Sequence, residues 1–107
     1  MNKIIDLNTI LDIVCQVTNV DKQDVITKKR QNLLVTCRYV FCYIAYEYGY
    51  TIPETTKHVN IGTADYYWQK SNIEYRIITN NLYRDIYLNT KKIINELKTS
   101  FYHNINE

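Results

Sequence analysis

The chain has 107 residues, enough for one domain with a modest core. Apolar residues make up 46%, too many for a disordered chain, and no uninterrupted apolar run reaches the roughly 18 residues a membrane span needs. The net charge of +2 does not announce a nucleic-acid binder, yet Lys22 to Arg38 holds five cations against Asp24 alone, a local excess suited to phosphate.

Two glycines and one proline leave few turns, which predicts an all-α protein with short connections. The expectation is a five to six helix bundle in a single domain spanning 1–107. Asp6 and Asp12 interrupt the N-terminal apolar stretch, which a secretory signal would not tolerate, so the chain reads as cytoplasmic. Cys15, Cys37 and Cys42 are odd in number, lack a C-x-x-C spacing and lie in apolar runs; they read as buried free thiols. His58 and His103 are isolated and read as surface residues, so no metal site is expected. No glycine-rich phosphate loop and no nucleophile with a base partner occur. The chain is therefore expected to be no enzyme, with no catalytic residue, cofactor, small-molecule substrate or membrane partner.

In chain order, Ile4, Leu7, Ile10, Leu11, Val14 and Val17 fall at helical spacing over 4–17, with Asp6 and Asp12 outward and Thr18-Asn19 ending the helix. A short element follows at Val20–Ile26, with Asp21 as its cap. Lys29–Tyr48 is the central helix, its apolar face made of Leu33, Leu34, Cys37, Val40, Phe41, Ile44 and Ala45, and Gly49 stops it. Thr51-Ile52-Pro53-Glu54 is a helix start, capped by Thr51, with Pro53 in the first turn. This helix runs over Ile52–Val59. Asn60-Ile61-Gly62-Thr63 is then a turn with positive φ expected at Gly62. The next helix reaches from Ala64 to about Asn80, with Tyr66 or Tyr67, Ile73, Ile77 and Ile78 inward. A break at Asn80-Asn81 precedes a last helix over Tyr83–Lys98, its stripe made of Ile86, Ile93, Ile94 and Leu97. Beyond Phe101 fraying is expected.

Several of these stretches together resemble the C-terminal DNA-binding domain of DnaA, the bacterial replication initiator, a Trp-repressor-like helical module built around a helix-turn-helix. VDKQDVI at Val20–Ile26 fits that family's short V-x-x-x-D-L element, and Thr27-Lys28-Lys29-Arg30 fits its S-K-x-R. Thr36-Cys37-Arg38 through Tyr43-Ile44 fits A-R-x-x-x-x-Y-L, and Thr51-Ile52-Pro53-Glu54 fits the start of S-L-P-E-I-G. The resemblance implies a helix-turn-helix at about 51–80, double-stranded DNA as partner, and a role in replication or transcription control. It implies a minor-groove contact for Arg30 and backbone-phosphate contacts at Ile52 and Pro53, the start that Thr51 caps. Lys28, Lys29 and Arg38 would touch phosphate, or Arg38 would form a structural ion pair.

The chain also departs from the family. Thr55-Thr56 replaces the I-G, and Ile61-Gly62-Thr63-Ala64-Asp65-Tyr66-Tyr67 stands where the base-reading R-D-H-T/S-T-V belongs. The scaffold looks retained while the reader is rewritten. On the rewritten helix, Thr63, Ala64, Asp65, Tyr66, Gln69 and Lys70 are the candidate DNA contacts: Gln can pair with adenine, Thr can meet a thymine methyl, Asp can accept from cytosine, and Lys can hold a phosphate. The alternative is an interaction protein on the same scaffold, docking a partner through Tyr66, Tyr67 and Trp68. Whether those rings lie inside or outside decides how much of such a surface exists. The 11 tyrosines otherwise read as half-buried packing with the hydroxyl in water.

Overall fold

Asp6, Asp21 and Thr51 each bear a short side-chain oxygen just ahead of an apolar-periodic segment, and each begins a helix. In the computed structural model, which describes residues 5–27 and 29–105 (side chains through residue 100), Asp6 accepts the Thr9 N–H at 2.7 Å and Asp21 accepts the Gln23 N–H at 3.0 Å. These caps open α1 (Leu7–Thr18) and α2 (Lys22–Ile26). α3 (Asn32–Glu47) follows, then α4 (Ile52–His58), α5 (Thr63–Thr79) and α6 (Asn81–Ile105). Among the described residues the protein is all-helical, with six helices and no strand.

α3 is the central element, packed against each of the other five helices. Val40, Phe41, Cys42, Ile44 and Ala45 are all fully buried, a run of five sites too wide for one face, because neighbours cover α3 on several sides. Ile10, Leu11 and Val14 from α1, Tyr66 and Ile73 from α5, and Ile94 from α6 complete the core. Two polar ties join distant segments at its rim. Tyr50 donates its hydroxyl to the Ile5 carbonyl at 2.7 Å, and Tyr87 donates to Glu47 at 2.8 Å, where Lys91 also binds at 3.2 Å. The three cysteines are free and buried, and burial raises each thiol pKa, to about 11 at Cys15 and about 12 at Cys42.

One buried cation organises the N-terminal half. Arg38, on α3, is only 5% exposed, and its guanidinium donates to the carbonyls of Val25 at 2.6 Å, Thr27 at 2.5 Å and Asp24 at 3.2 Å. These carbonyls end α2, a helix of five residues whose last acceptors have no partner within the helix. A planar fork of donors meets all three, and a cation at a helix C-terminus is electrostatically favoured. The structural ion pair expected for Arg38 is not formed among the described residues: the guanidinium is committed to a carbonyl cage, which gives it a structural use.

Other departures have local causes. α1 begins at Leu7 because Asp6 caps it; Ile4 lies outside the described residues. α3 begins at Asn32, three residues later than expected, because Gln31 takes extended backbone and stands as its N-cap. The left-handed residue of the α4–α5 connection is Asn60, at φ 64°, while Gly62 has φ −68° and caps α5. Asparagine tolerates that region better than other side chains, which the glycine count concealed. The Asn80 break is itself a cap: its side chain accepts the N–H groups of Leu82 at 2.9 Å and Tyr83 at 3.3 Å. α6 then continues to Ile105 instead of fraying past Phe101. Ile78 is 71% exposed and Leu97 46% exposed, since the buried stripes run through Tyr66, Ile73 and Ile77 on α5 and Tyr83, Ile86 and Ile94 on α6. His58 is half-buried, its ring stacked on Phe41 at 5.6 Å; the side chain of His103 lies outside the described residues.

Two outcomes follow for stability. Arg38→Ala should cost about 2–4 kcal/mol in urea denaturation, because it strips charged donors from three carbonyls at once. Arg38→Lys should recover only part of this, since an ammonium cannot span the fork; a loss below about 0.5 kcal/mol for the alanine would remove Arg38 as the anchor of α2. Burial, then Lys22, lowers the His58 pKa below its ordinary 6.5, with Asp6 opposing. The unfolded chain takes up this proton more readily. The contribution of His58 is therefore present above about pH 6.5 and lost as pH falls through the folded value. Thermal melts from pH 8 to 5 should show a decline that His58→Gln lacks; equal slopes would exclude this histidine.

Candidate nucleic-acid interface

The two connections flanking the core, α2 to α3 and α4 to α5, lie on one side of the molecule. Between them is an open cleft of about 510 Å³ lined by Arg30, Val35, Arg38, Tyr39, Asn60, Ile61, Gly62 and Asp65. Arg30 is exposed at its rim and, among the described residues, makes no hydrogen bond or ion pair. Its freedom contrasts with Lys29, whose ammonium sits 2.6 Å from Asp24. Both partners of that pair are substantially exposed, which leaves the lysine weakly held. Lys28 lies outside the described residues.

α4 carries a reciprocal cap. Thr51 accepts the Glu54 N–H at 3.2 Å, and the Glu54 carboxylate accepts from the Thr51 N–H at 2.8 Å and from its hydroxyl at 2.9 Å. This arrangement bears directly on the phosphate contacts implied for the helix start. Pro53 is exposed but has no N–H, and the Ile52 side chain is 5% exposed, in the core. Ile52 therefore offers a ligand its backbone only, beside the Glu54 carboxylate. Side-chain contact with DNA at Ile52 is excluded by this packing.

Thr55 and Thr56, which replace the family's I-G, have a structural use. Both are fully buried, and both hydroxyls donate to the Ile52 carbonyl at 2.9 Å. Thr56 also shares a 2.8 Å hydroxyl bond with Thr63, the first residue of α5. That bond joins the two helices across their connection and leaves Thr63 half-buried. Ala64 and Asp65 are exposed beside it, while Gln69 and Lys70 are half-buried. The Lys70 ammonium lies 4.7 Å from the centre of the Tyr46 ring, a cation–π contact that turns it toward α3.

Tyr66 is the clearest correction. It is fully buried and stacked on Tyr39 at a 6.3 Å centroid distance, so it reads no base and docks no partner. Its hydroxyl has no hydrogen-bond partner among the described residues, and burial pushes its pKa up. Tyr67 and Trp68 are outside, at 57% and 82% exposure. Sequence reasoning missed Tyr39, Asn60 and Ile61 as cleft residues, because their proximity to Arg30 depends on how α2 and α4 pack on α3. It also missed Tyr75, 64% exposed, and Ile78, which continue the outer face of α5 beyond Trp68; the spacing of 68, 75 and 78 was the available signal. Among the described residues no group of three or more His, Cys, Asp or Glu could hold a metal ion, and no helix is long and apolar enough to cross a membrane.

No protein-family model, curated protein or solved structure matches the chain.

The orphaned hydroxyl leads to a direct check on Tyr66. Tyr66→Phe removes a buried, unpaired polar group while keeping the ring, so the melting temperature should stay level or rise. A destabilisation above about 1 kcal/mol would show that the hydroxyl is satisfied in solution.

Proposed function

We propose that this chain is a helix-turn-helix domain that binds double-stranded DNA in the cytoplasm, similar in plan to the DNA-binding domain of DnaA, with a rewritten reader helix. On this reading α4 and α5 form the helix-turn-helix and α5 lies toward the major groove. The observation that carries it is the shared cleft: Arg30, uncommitted to any protein group among the described residues, stands with the first turn of α5 on one side of the molecule. One duplex could meet both. Arg30 is the minor-groove candidate, because arginine is favoured where that groove is narrow. Lys28 and Lys29 are the phosphate contacts, with Thr51 and Pro53 at the edge of the footprint. Ala64 and Asp65 are the base-facing residues of α5, with Thr63, Gln69 and Lys70 at its margins. Arg38, Ile52 and Tyr66 support the scaffold from inside. Asp65 repels phosphate, which limits its use to accepting from cytosine N4.

A second reading has its own observation. Trp68, the largest side chain on α5, is 82% exposed, with Tyr67 beside it. Exposed Trp–Tyr surface is the composition of an interaction hot spot, and on this reading the same helix is a protein-docking element. Replacing Trp68 should then abolish capture of a partner without altering the fold.

Fluorescence anisotropy with random-sequence duplex at two salt concentrations tests the first reading. Binding should be saturable and weaken steeply with salt. Arg30→Ala should lower affinity about tenfold and reduce any A·T preference, and Lys28→Ala with Lys29→Ala should lower the salt slope by about two. Absence of binding at low salt would end the DNA reading.

A further inference from the structure

The outer face of α5 is nearly its own complement when reversed. About a point between Ser71 and Asn72, Trp68 and Tyr75 stand at equal distances along the helix, while Tyr67 and Ile78 on one flank, and Asp65 and Arg76 on the other, each match to within two residues. Ser71, small and exposed, lies at the centre. A face of this kind fits a second copy of itself laid antiparallel across a two-fold axis. Trp68 of each copy then meets Tyr75 of the other, Tyr67 meets Ile78, and the acid of Asp65 meets the guanidinium of Arg76. The central serine permits close approach of the two backbones.

The geometry points to self-association of this chain through α5, a symmetric antiparallel pairing centred at Ser71. The inference rests on the second reading above and names its occupant. Three observations favour another copy over an unrelated protein. The first is the mirrored order of aromatic and aliphatic residues, which an arbitrary partner does not require. The second is charge: Asp65 and Arg76 share one flank, so antiparallel pairing sets opposite signs together twice, whereas a parallel two-fold would set that flank against the Tyr67 and Ile78 flank and leave both charges without a partner. Arg76 is exposed on this flank, with one nitrogen donating to the Tyr83 hydroxyl at 3.2 Å. The third is area. Tyr67, Trp68, Tyr75 and Ile78 are 57, 82, 64 and 71% exposed. With about 150–250 Å² per whole aromatic they offer on the order of 500 Å². Flanking residues bring the patch toward the roughly 800 Å² per partner of a standard interface. A reversible dimer with a Kd on the order of 10–100 µM is the expected strength. Because Ala64 and Asp65 lie within the paired face, the dimer and a base-reading α5 exclude one another.

Sedimentation velocity of the full chain without DNA, from about 5 to 500 µM, tests the pairing. A monomer–dimer equilibrium is expected, and Trp68→Ser should weaken it at least tenfold with an unchanged melting curve. Register is read by cross-linking. Ser71→Cys places two thiols near the axis, within disulfide reach, while Ala64→Cys places them about 20 Å apart along the antiparallel helices. With oxidised glutathione, Ser71→Cys should form a covalent dimer and Ala64→Cys should not. A wild-type dimer indifferent to Trp68→Ser, or equal cross-linking of both variants, overturns the pairing. A monomer at every concentration overturns it as well, and a capture experiment then separates the two ideas. Trp68-dependent capture of another protein would keep the docking face and discard the second copy, whereas no capture would discard both.

Discussion

Three carbonyls at the end of α2 converge on one guanidinium, and the N-terminal half of this protein is built around that meeting. A five-residue helix has almost no stability of its own, because nucleation costs more than its few hydrogen bonds return. α2 persists because Asp21 caps its start and Arg38, reaching from α3, satisfies its end. Burying a cation is costly unless its donors are used, and here three distances of 3.2 Å or less show that they are. The chain leaving α2 is thereby pinned at Thr27, and Arg30, three residues on, stands at the rim of the cleft.

The opposite wall of the cleft depends on a different economy of hydroxyl groups. Thr55 and Thr56 are buried in α4, where a β-branched polar residue is ordinarily a poor choice. Their hydroxyls return to the Ile52 carbonyl, and Thr56 reaches on to Thr63. The α4–α5 connection is consequently held at both ends: by this hydroxyl bond and by Asn60 in the left-handed conformation. α5 leaves at a defined angle, buries Tyr66 against Tyr39, and turns its remaining surface outward. The proposed DNA reading and the proposed pairing both draw on that outward surface, and both follow from Tyr66 being the residue that faces in.

Aromatic side chains serve two purposes in this small core. Tyr39, Tyr43, Tyr48, Tyr50 and Tyr87 are half-buried against the core, and several hold a polar partner at the rim: Tyr50 the Ile5 carbonyl, Tyr87 the Glu47 carboxylate, Tyr48 the cations Lys91 and Lys98 at 5.5 and 5.4 Å. A ring supplies apolar area while its hydroxyl or π face meets water or charge. Trp68 and Tyr75 do not share this pattern. They project from α5 with little of their surface covered, which is why a binding role is proposed for them and the others are read as packing.

The helical class, the order of the elements and most of their boundaries were legible from the sequence, because caps, breaks and apolar periodicity are local. Asp21, Thr51, Gly49 and the Asn80 break act within a few residues of themselves, so chain neighbours are enough to read them. The central position of α3 was legible too, since only a helix covered from several sides tolerates so wide an apolar face. What the sequence could not decide was the partner of each polar or aromatic residue across space. Arg38 resembles a phosphate contact until α2 is seen packed against α3, where carbonyls 11 to 14 residues away claim it. Tyr66 and Tyr67 are adjacent and alike, and a single residue step of about 100° around α5, set by where that helix docks, buries the first and exposes the second. Ile78 and Leu97 were misread for the same reason: periodicity names a stripe, but the packing angle of one helix on another decides which edge of the stripe meets the core.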